Sequence, residues 1–125
     1  MSKGFLKQIH PVLPVKNVTE AILYYTQKLG FILSFKDDGD DPKYGGVSRD
    51  TVELHLQWHD SKEWEIGVDR PLLRIYVDDI EALYNDYKTK GVFHENTSLK
   101  ETAWGTKEFA FYDLFGNGLV FYRDL

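Results

Sequence analysis

The chain has no cysteine, which excludes disulfide staples, thiolate nucleophiles and thiolate metal ligands together. No apolar run approaches the ~20 residues of a membrane-spanning helix. The opening residues, Met1-Ser2-Lys3-Gly4-Phe5-Leu6-Lys7, lack the apolar core of a signal peptide. These absences set the expectation of a cytoplasmic protein with no membrane partner. Basic residues are also scarce: 15 Lys and Arg stand against 20 Asp and Glu, a formal charge of −5, with no cationic cluster. A nucleic-acid partner is therefore not expected. The sequence has no Gly-x-Ser-x-Gly elbow and no glycine-rich phosphate cradle, and Ser34 and Ser48 show no adjacent base, so hydrolysis by an activated serine has no support. The pair Gly45-Gly46 reads as a strand bend or a close backbone approach.

What is present is aromatic residues, 15% of the chain, and a plan that occurs twice. In the first half, Ile9 to Val15 reads as a strand, confined to an edge by Pro11 and Pro14. Asn17 caps a helix whose apolar stripe is Val18, Ile22, Tyr25 and Leu29, and Gly30 stops it. Phe31 to Phe35 is a short strand, residues 37–42 an acidic loop, and Tyr44 to Ser48 and Val52 to Trp58 a hairpin. His59 to Asp69 connects to the second half. There Leu72 to Val77 is a strand, and Asp79 caps a helix with Ile80, Leu83, Tyr84 and Tyr87 inward, ending at Gly91. Phe93 to Glu101 is irregular and extended, and Lys107 to Tyr112 and Leu119 to Tyr122 form a hairpin around Asp113 to Gly118. Val15-Lys16-Asn17-Val18 corresponds to Val77-Asp78-Asp79-Ile80. The expectation is one domain over residues 1–125, with one strand–helix–three-strand module over about 1–66 and another over about 67–125. Neither unit can bury its own sheet face alone.

Strand alternation separates the side chains. Val52, Leu54 and Leu56 fall on one face, and Glu53, His55 and Gln57 on the other. Leu73, Ile75 and Val77 belong to the core, which turns Leu72, Arg74 and Tyr76 to the opposite side. A face carrying Glu53, His55, Gln57 and Arg74 is too polar for a core and fits a wet pocket.

Particular stretches resemble the vicinal-oxygen-chelate superfamily of glyoxalase I, extradiol dioxygenases and bleomycin-resistance proteins. These are Pro11-Val12-Leu13-Pro14-Val15-Lys16-Asn17-Val18, Tyr24-Tyr25, Leu29-Gly30-Phe31, Tyr44 to Asp50, Trp104 to Ala110, and Asp113-Leu114-Phe115-Gly116-Asn117. They are most similar to the bleomycin-resistance branch. The resemblance implies an α+β fold of two βαβββ modules forming cupped mixed sheets. It further implies a homodimer with ligand crevices at its interface and a first strand free to cross to the partner. It places ligand-stacking rings at Phe35, Tyr44 and Trp104, for which the competing readings are core aromatics at Phe35 and Tyr44 and an interface plug at Trp104. Ala103, where the branch commonly has proline, and the longer 37–42 loop are departures that bear on pocket shape.

Similarity to glyoxalase also places four metal ligands, which fall on His10, Glu53, Leu72 and Val120. Leucine and valine have no lone pair to donate, so no metal or other cofactor is expected. His10 and Glu53 remain residual candidates, read as groove polar groups. His94 reads as a surface residue. The residues leave one alternative open: His55, two positions from Glu53 on the same strand face, can complete a rearranged His10–Glu53–His55 site. The functional expectation is a non-catalytic binding protein that sequesters a planar, cationic antibiotic or metabolite. The alternative is a metal-dependent lyase, isomerase or dioxygenase using the rearranged site.

Overall fold

The computed structural model describes residues 2–125. Its first half runs β1 (Val12–Val15), α1 (Val18–Gln27), β2 (Ile32–Lys36), β3 (Tyr44–Arg49) and β4 (Val52–Trp58). A short α2 (Ser61–Ile66) follows. The second half runs β5 (Leu72–Tyr76), α3 (Ile80–Lys88), β6 (Lys100–Glu101), β7 (Thr106–Tyr112) and β8 (Gly118–Asp124). The strands form two four-stranded mixed sheets with the same plan, in the orders β1-β4-β3-β2 and β5-β8-β7-β6. In each the first strand lies parallel to the last, and the rest are antiparallel.

The expected helix signals act as read. Asn17 accepts the Glu20 N–H at 2.9 Å, and Asp79 accepts that of Ala82 at 3.1 Å. Gly30 and Gly91 follow the helices with φ of 77° and 71°. Val18, Ile22, Tyr25, Ile80, Leu83 and Tyr87 are buried as the stripes require. Three differences go beyond a shift of a residue or two at a strand end. The first strand begins at Val12 rather than Ile9; upstream, Phe5, Leu6 and Ile9 are almost fully exposed, with nothing to pack against. The connection after β4 contains α2, started by a capping box in which Asp60 and Glu63 satisfy each other's backbone N–H. Within the irregular stretch after α3, only Lys100–Glu101 pairs, with β7.

One apolar cluster spans both halves, from Leu13 and Tyr25 through Leu54 and Leu56 to Tyr87, Phe109 and Phe121. Two polar knots tie it. At one, Asp113 accepts the Tyr25 hydroxyl (2.7 Å) and the backbone N–H groups of Phe115 and Asn117 (both 2.9 Å), while Asn117 donates to Pro14 O at 3.0 Å. At the other, Leu29 O accepts from Arg49 (2.8 Å) and from the Tyr87 hydroxyl (2.7 Å). Two of the stretches that carried the family resemblance, Leu29-Gly30-Phe31 and Asp113 to Asn117, are thus structural joints between the halves. The buried side-chain polar groups in them have lost water and regain hydrogen bonds inside the protein, Asn117 Oδ1 excepted.

Candidate ligand-binding site

The face of the first sheet turned away from α1 carries the densest set of chemically distinct groups. On β4, Leu54 and Leu56 are buried, while Glu53 and His55 are half-buried and Gln57 is exposed on the opposite side. The register sets Gly46 against His55 and Tyr44 against Gln57, so the Tyr44 ring shares that open face. Phe35 joins it through an irregularity. Leu33 pairs with Val47 and Phe35 with Gly46, leaving Ser34 without a partner. This β-bulge allows both Ser34 and Phe35 to turn toward the open face, where strict alternation would send them apart. The Phe35 ring lies over Gly46, where a Cβ would collide with Phe35 Cε1. At neighbouring Gly45 a Cβ would press on Ile22 and Val18 of α1, so the glycine pair marks close approaches on both faces of the sheet.

The aromatic wall is ordered around His55. Phe35 meets the His55 ring edge-on at 5.1 Å, Tyr44 does so at 5.5 Å, and Phe35 and Tyr44 are stacked at 6.1 Å. On its other side His55 stacks on His10, with centroids 4.6 Å apart and planes within 12°. The polar atoms form a chain. Tyr44 Oη lies 2.8 Å from His55 Nδ1, and His55 Nε2 lies 3.0 Å from Glu53 Oε2. Ser34 donates to Glu53 Oε1 at 3.0 Å; its single proton is then used, so Ser48, also at 3.0 Å, donates to Ser34. Hydrogen bonds from His55 and then Ser34 hold the Glu53 carboxyl below its usual range, outweighing partial desolvation, with His10 acting in the same direction. Glu53 is therefore a fixed negative charge. A groove of about 550 Å³, lined by Gln8, Ile9, His10, Ser48 and Glu53 among others, opens beside it.

The second sheet has a different open face. Arg74 donates to Glu108 at 3.2 Å and lies over the Tyr122 ring at 4.4 Å. Thr106 also donates to Glu108, at 2.9 Å. Leu72, Tyr76 and Tyr112 are exposed around them, and Trp104, in the loop between β6 and β7, is 69% exposed. No hydrogen bond or ring pair among the described residues joins Arg74 or Trp104 to the Phe35–Tyr44–His55 group. Within one protomer the seven expected contact residues thus divide by half: Phe35, Tyr44, Glu53, His55 and Gln57 on the first sheet, and, in the second half, Arg74 on β5 and Trp104 in the loop before β7. His94 is exposed, as read, and accepts the Tyr112 N–H at 2.8 Å.

Two partners were not visible in the sequence, and a third, His10 with His55, was named only as an alternative site. Ser34 reaches Glu53 only because of the bulge. Glu108, the buried partner of Arg74, lies 34 residues away from it. His10 meets His55 from a segment outside any strand. The four-position metal set implied by the resemblance is not completed here. Leu72 is 66% exposed and Val120 buried, and neither offers a donor atom. Among the described residues, the group that does bring ligand atoms together is His10, Glu53 and His55, with one atom of each within 4.8 Å of the others.

Residues 7–121 match the model of the Glyoxalase/Bleomycin resistance protein/Dioxygenase superfamily. Bleomycin resistance proteins from Geobacillus stearothermophilus and from Staphylococcus aureus (strain MRSA252) are each 32% identical over 130 residues, covering 92% of this chain and 95% of theirs. A bleomycin-binding protein from Streptomyces verticillus, solved with copper(II)-bleomycin, superposes with a TM-score of 0.72 at 25% identity, covering 94% of this chain and 97% of that one. A glyoxalase-related enzyme from Clostridium phytofermentans shares the fold with a TM-score of 0.78 at 17% identity, covering 99% of this chain and all of that one.

Proposed function

The chain belongs to the Glyoxalase/Bleomycin resistance protein/Dioxygenase superfamily, and on that premise we propose that it sequesters a planar, cationic antibiotic of the bleomycin type, or a similar metabolite, without catalysis. The observation that carries the reading is the open face of the first sheet, where the Phe35 and Tyr44 rings pack around His55, whose far nitrogen meets the ionised Glu53. Rings offer stacking area to a flat ligand, and the carboxylate favours a positive charge beside it. Similarity to bleomycin resistance proteins over nearly the whole chain points to the same ligand class.

The two contact sets come together in a homodimer. The open face of one protomer is closed by the Arg74–Trp104 face of its partner, forming a shared crevice. Exposed Leu72, Tyr76 and Tyr112, together with Trp104 in the loop before β7, support this, because a monomer rarely leaves so many large apolar groups exposed. Exposed Phe5, Leu6 and Ile9 support a first segment that lies across the partner. The testing experiment is a titration with metal-free bleomycin followed by tryptophan fluorescence, with the oligomeric state measured by sedimentation at the same concentration. Saturable quenching in a dimer is the expected result. A flat titration, or a monomer throughout, contradicts the reading.

A further inference from the structure

We propose that the cleft between the two halves, on the helix side of the sheets, binds a compact organic cation: an ammonium group carried on an apolar or aromatic body. The cleft is distinct from the open face. Its wall residues Val52 and Ile75 lie on the strand faces that carry Leu54 and Leu73, opposite to Glu53 and Arg74. It shares none of the seven expected contact residues, and it does not depend on the ligand-sequestering reading.

Segments from both halves build the cleft. On one side stands the turn between β3 and β4, Arg49 to Val52. On the other stand the end of β5 and one face of α3. Ala82, Leu83 and Asp86 line the helix side, at the spacing that puts residues on a single helix face. The floor is Phe31, Leu83, Tyr87 and Phe121, all buried, so the cleft reaches down to the apolar cluster that joins the halves. Its volume of about 470 Å³ falls within the ~300–1,000 Å³ of small-molecule pockets. Such a floor takes the apolar body of a ligand out of water, and the occupant touches both halves at once.

The mouth decides the charge of the occupant. Four carboxylates, those of Asp50, Asp78, Asp79 and Asp86, line it against one cation, Arg49. The Arg49 guanidinium is committed to the joint, where it donates to Leu29 O at 2.8 Å and to the Tyr87 hydroxyl at 3.2 Å; Asp50 lies 3.8 Å from its Nε. Asp78 and Asp79 each spend an oxygen on a backbone N–H at the start of α3, beside the positive end of the helix dipole. Asp86 sits in the last turn of α3, away from that end, and its carboxylate has no hydrogen bond or ion pair among the described residues. Burial chiefly raises the Tyr87 hydroxyl, Arg49 opposes the rise and Asp86 adds to it, so the Asp86 charge reaches the floor. A cation seated on this floor meets a carboxylate with no partner of its own, whereas an anion meets net repulsion.

The test is a titration of the isotope-labelled full chain near neutral pH, followed by two-dimensional NMR. Benzylamine is the cationic probe and benzyl alcohol its neutral counterpart. The expected result is saturable shifts at the amides of Asp50 to Val52, Val77 and Ala82 to Asp86. Benzylamine should bind about fivefold more tightly than benzyl alcohol, the factor that one charge pair in contact through water supplies. Asp86→Asn, an exposed change, should remove most of that preference. Ala82→Phe, also at an exposed position, places a ring in the cleft and should abolish binding of both probes with every charge kept. Absence of saturable shifts overturns the proposal, as does equal affinity for the two probes, an unchanged preference in Asp86→Asn, or shifts confined to Phe35, Tyr44 and His55. Shifts that fade when the protein concentration is raised tenfold also overturn it, because a second copy then covers the cleft. The bleomycin titration reports on the other face of the sheets, so the two readings fail separately.

Discussion

The hydroxyl of Tyr25 on α1 donates to the carboxylate of Asp113 at 2.7 Å, across 88 residues of sequence. Tyr25 is fully buried, and Asp113 also holds two backbone N–H groups of its own turn. The bond therefore couples the first helix to the last hairpin. Tyr25→Phe removes one donor and leaves the rest of the knot intact, with an expected cost of about 1–2 kcal/mol. Asp113→Ala strands several buried donors at once and should cost about 2–4 kcal/mol. Urea unfolding of both variants checks the order. Equal and negligible effects would show that the knot does not join the halves.

Buried tyrosines make the fold sensitive to alkali. Burial pushes Tyr87 up to about 12, against the lowering effect of Arg49. Burial also raises Tyr25 well above its ordinary value, helped by the charge and hydrogen bond of Asp113, and raises Tyr24. The unfolded chain loses these protons near pH 10 while the folded chain keeps them. Stability is thus fully present below about pH 10 and falls as pH rises toward the folded-state values. Melting temperatures between pH 8 and 11.5 should decline above pH 10, and less steeply in Tyr25→Phe. A flat profile would contradict the assignment.

Gly46 gives the Phe35 ring its place. Gly46→Ala puts a methyl group where the ring lies. Phe35 is 41% exposed and free to swing away, so stability should change by less than about 1 kcal/mol while ligand affinity falls. Thermal melting and bleomycin titration on the same variant separate the two effects. Unchanged affinity would remove Phe35 from the site.

Trp104 is the corresponding test on the other face. Its exposure implies that Trp104→Ala costs the protomer no more than about 0.5 kcal/mol. Loss of stacking on a cationic flat ligand should weaken binding by roughly tenfold. If the variant instead shifts the dimer equilibrium with affinity per dimer unchanged, Trp104 is an interface plug.

The parts legible in the sequence were those set by local chemistry. Asn17 and Asp79 announced their helices because a short polar side chain can reach the N–H three residues on. The alternation of Leu54 and Leu56 with Glu53 and His55 announced two faces because a strand repeats every two residues. The face shared by Ser34 and Phe35 was not legible, since a bulge breaks that period without a residue that demands it. Helix α2 was signalled by Asp60 and Glu63, but six residues are too few for a periodic apolar stripe. The Asp113–Asn117 signature was visible as a pattern, yet its role depends on Tyr25 and Pro14, far away in the chain. His10 and His55 were brought together only as an alternative, and their stacking was not legible, because the strand read from Ile9 begins at Val12 and leaves His10 without a register to count from.

The most direct test of the shared ligand crevice is complementation between protomers. One variant carries Phe35→Ala and Glu53→Gln, the other Arg74→Ala and Trp104→Ala, and each alone should bind metal-free bleomycin poorly. If the chain is the proposed dimer, the two variants, mixed and allowed to exchange subunits, should form dimers in which one crevice combines the intact face of each. Calorimetric titration of the mixture should then recover wild-type affinity at one crevice per mixed dimer. If mixed dimers form and no tight binding returns, the two faces do not meet across a dimer, and the shared-crevice account is wrong.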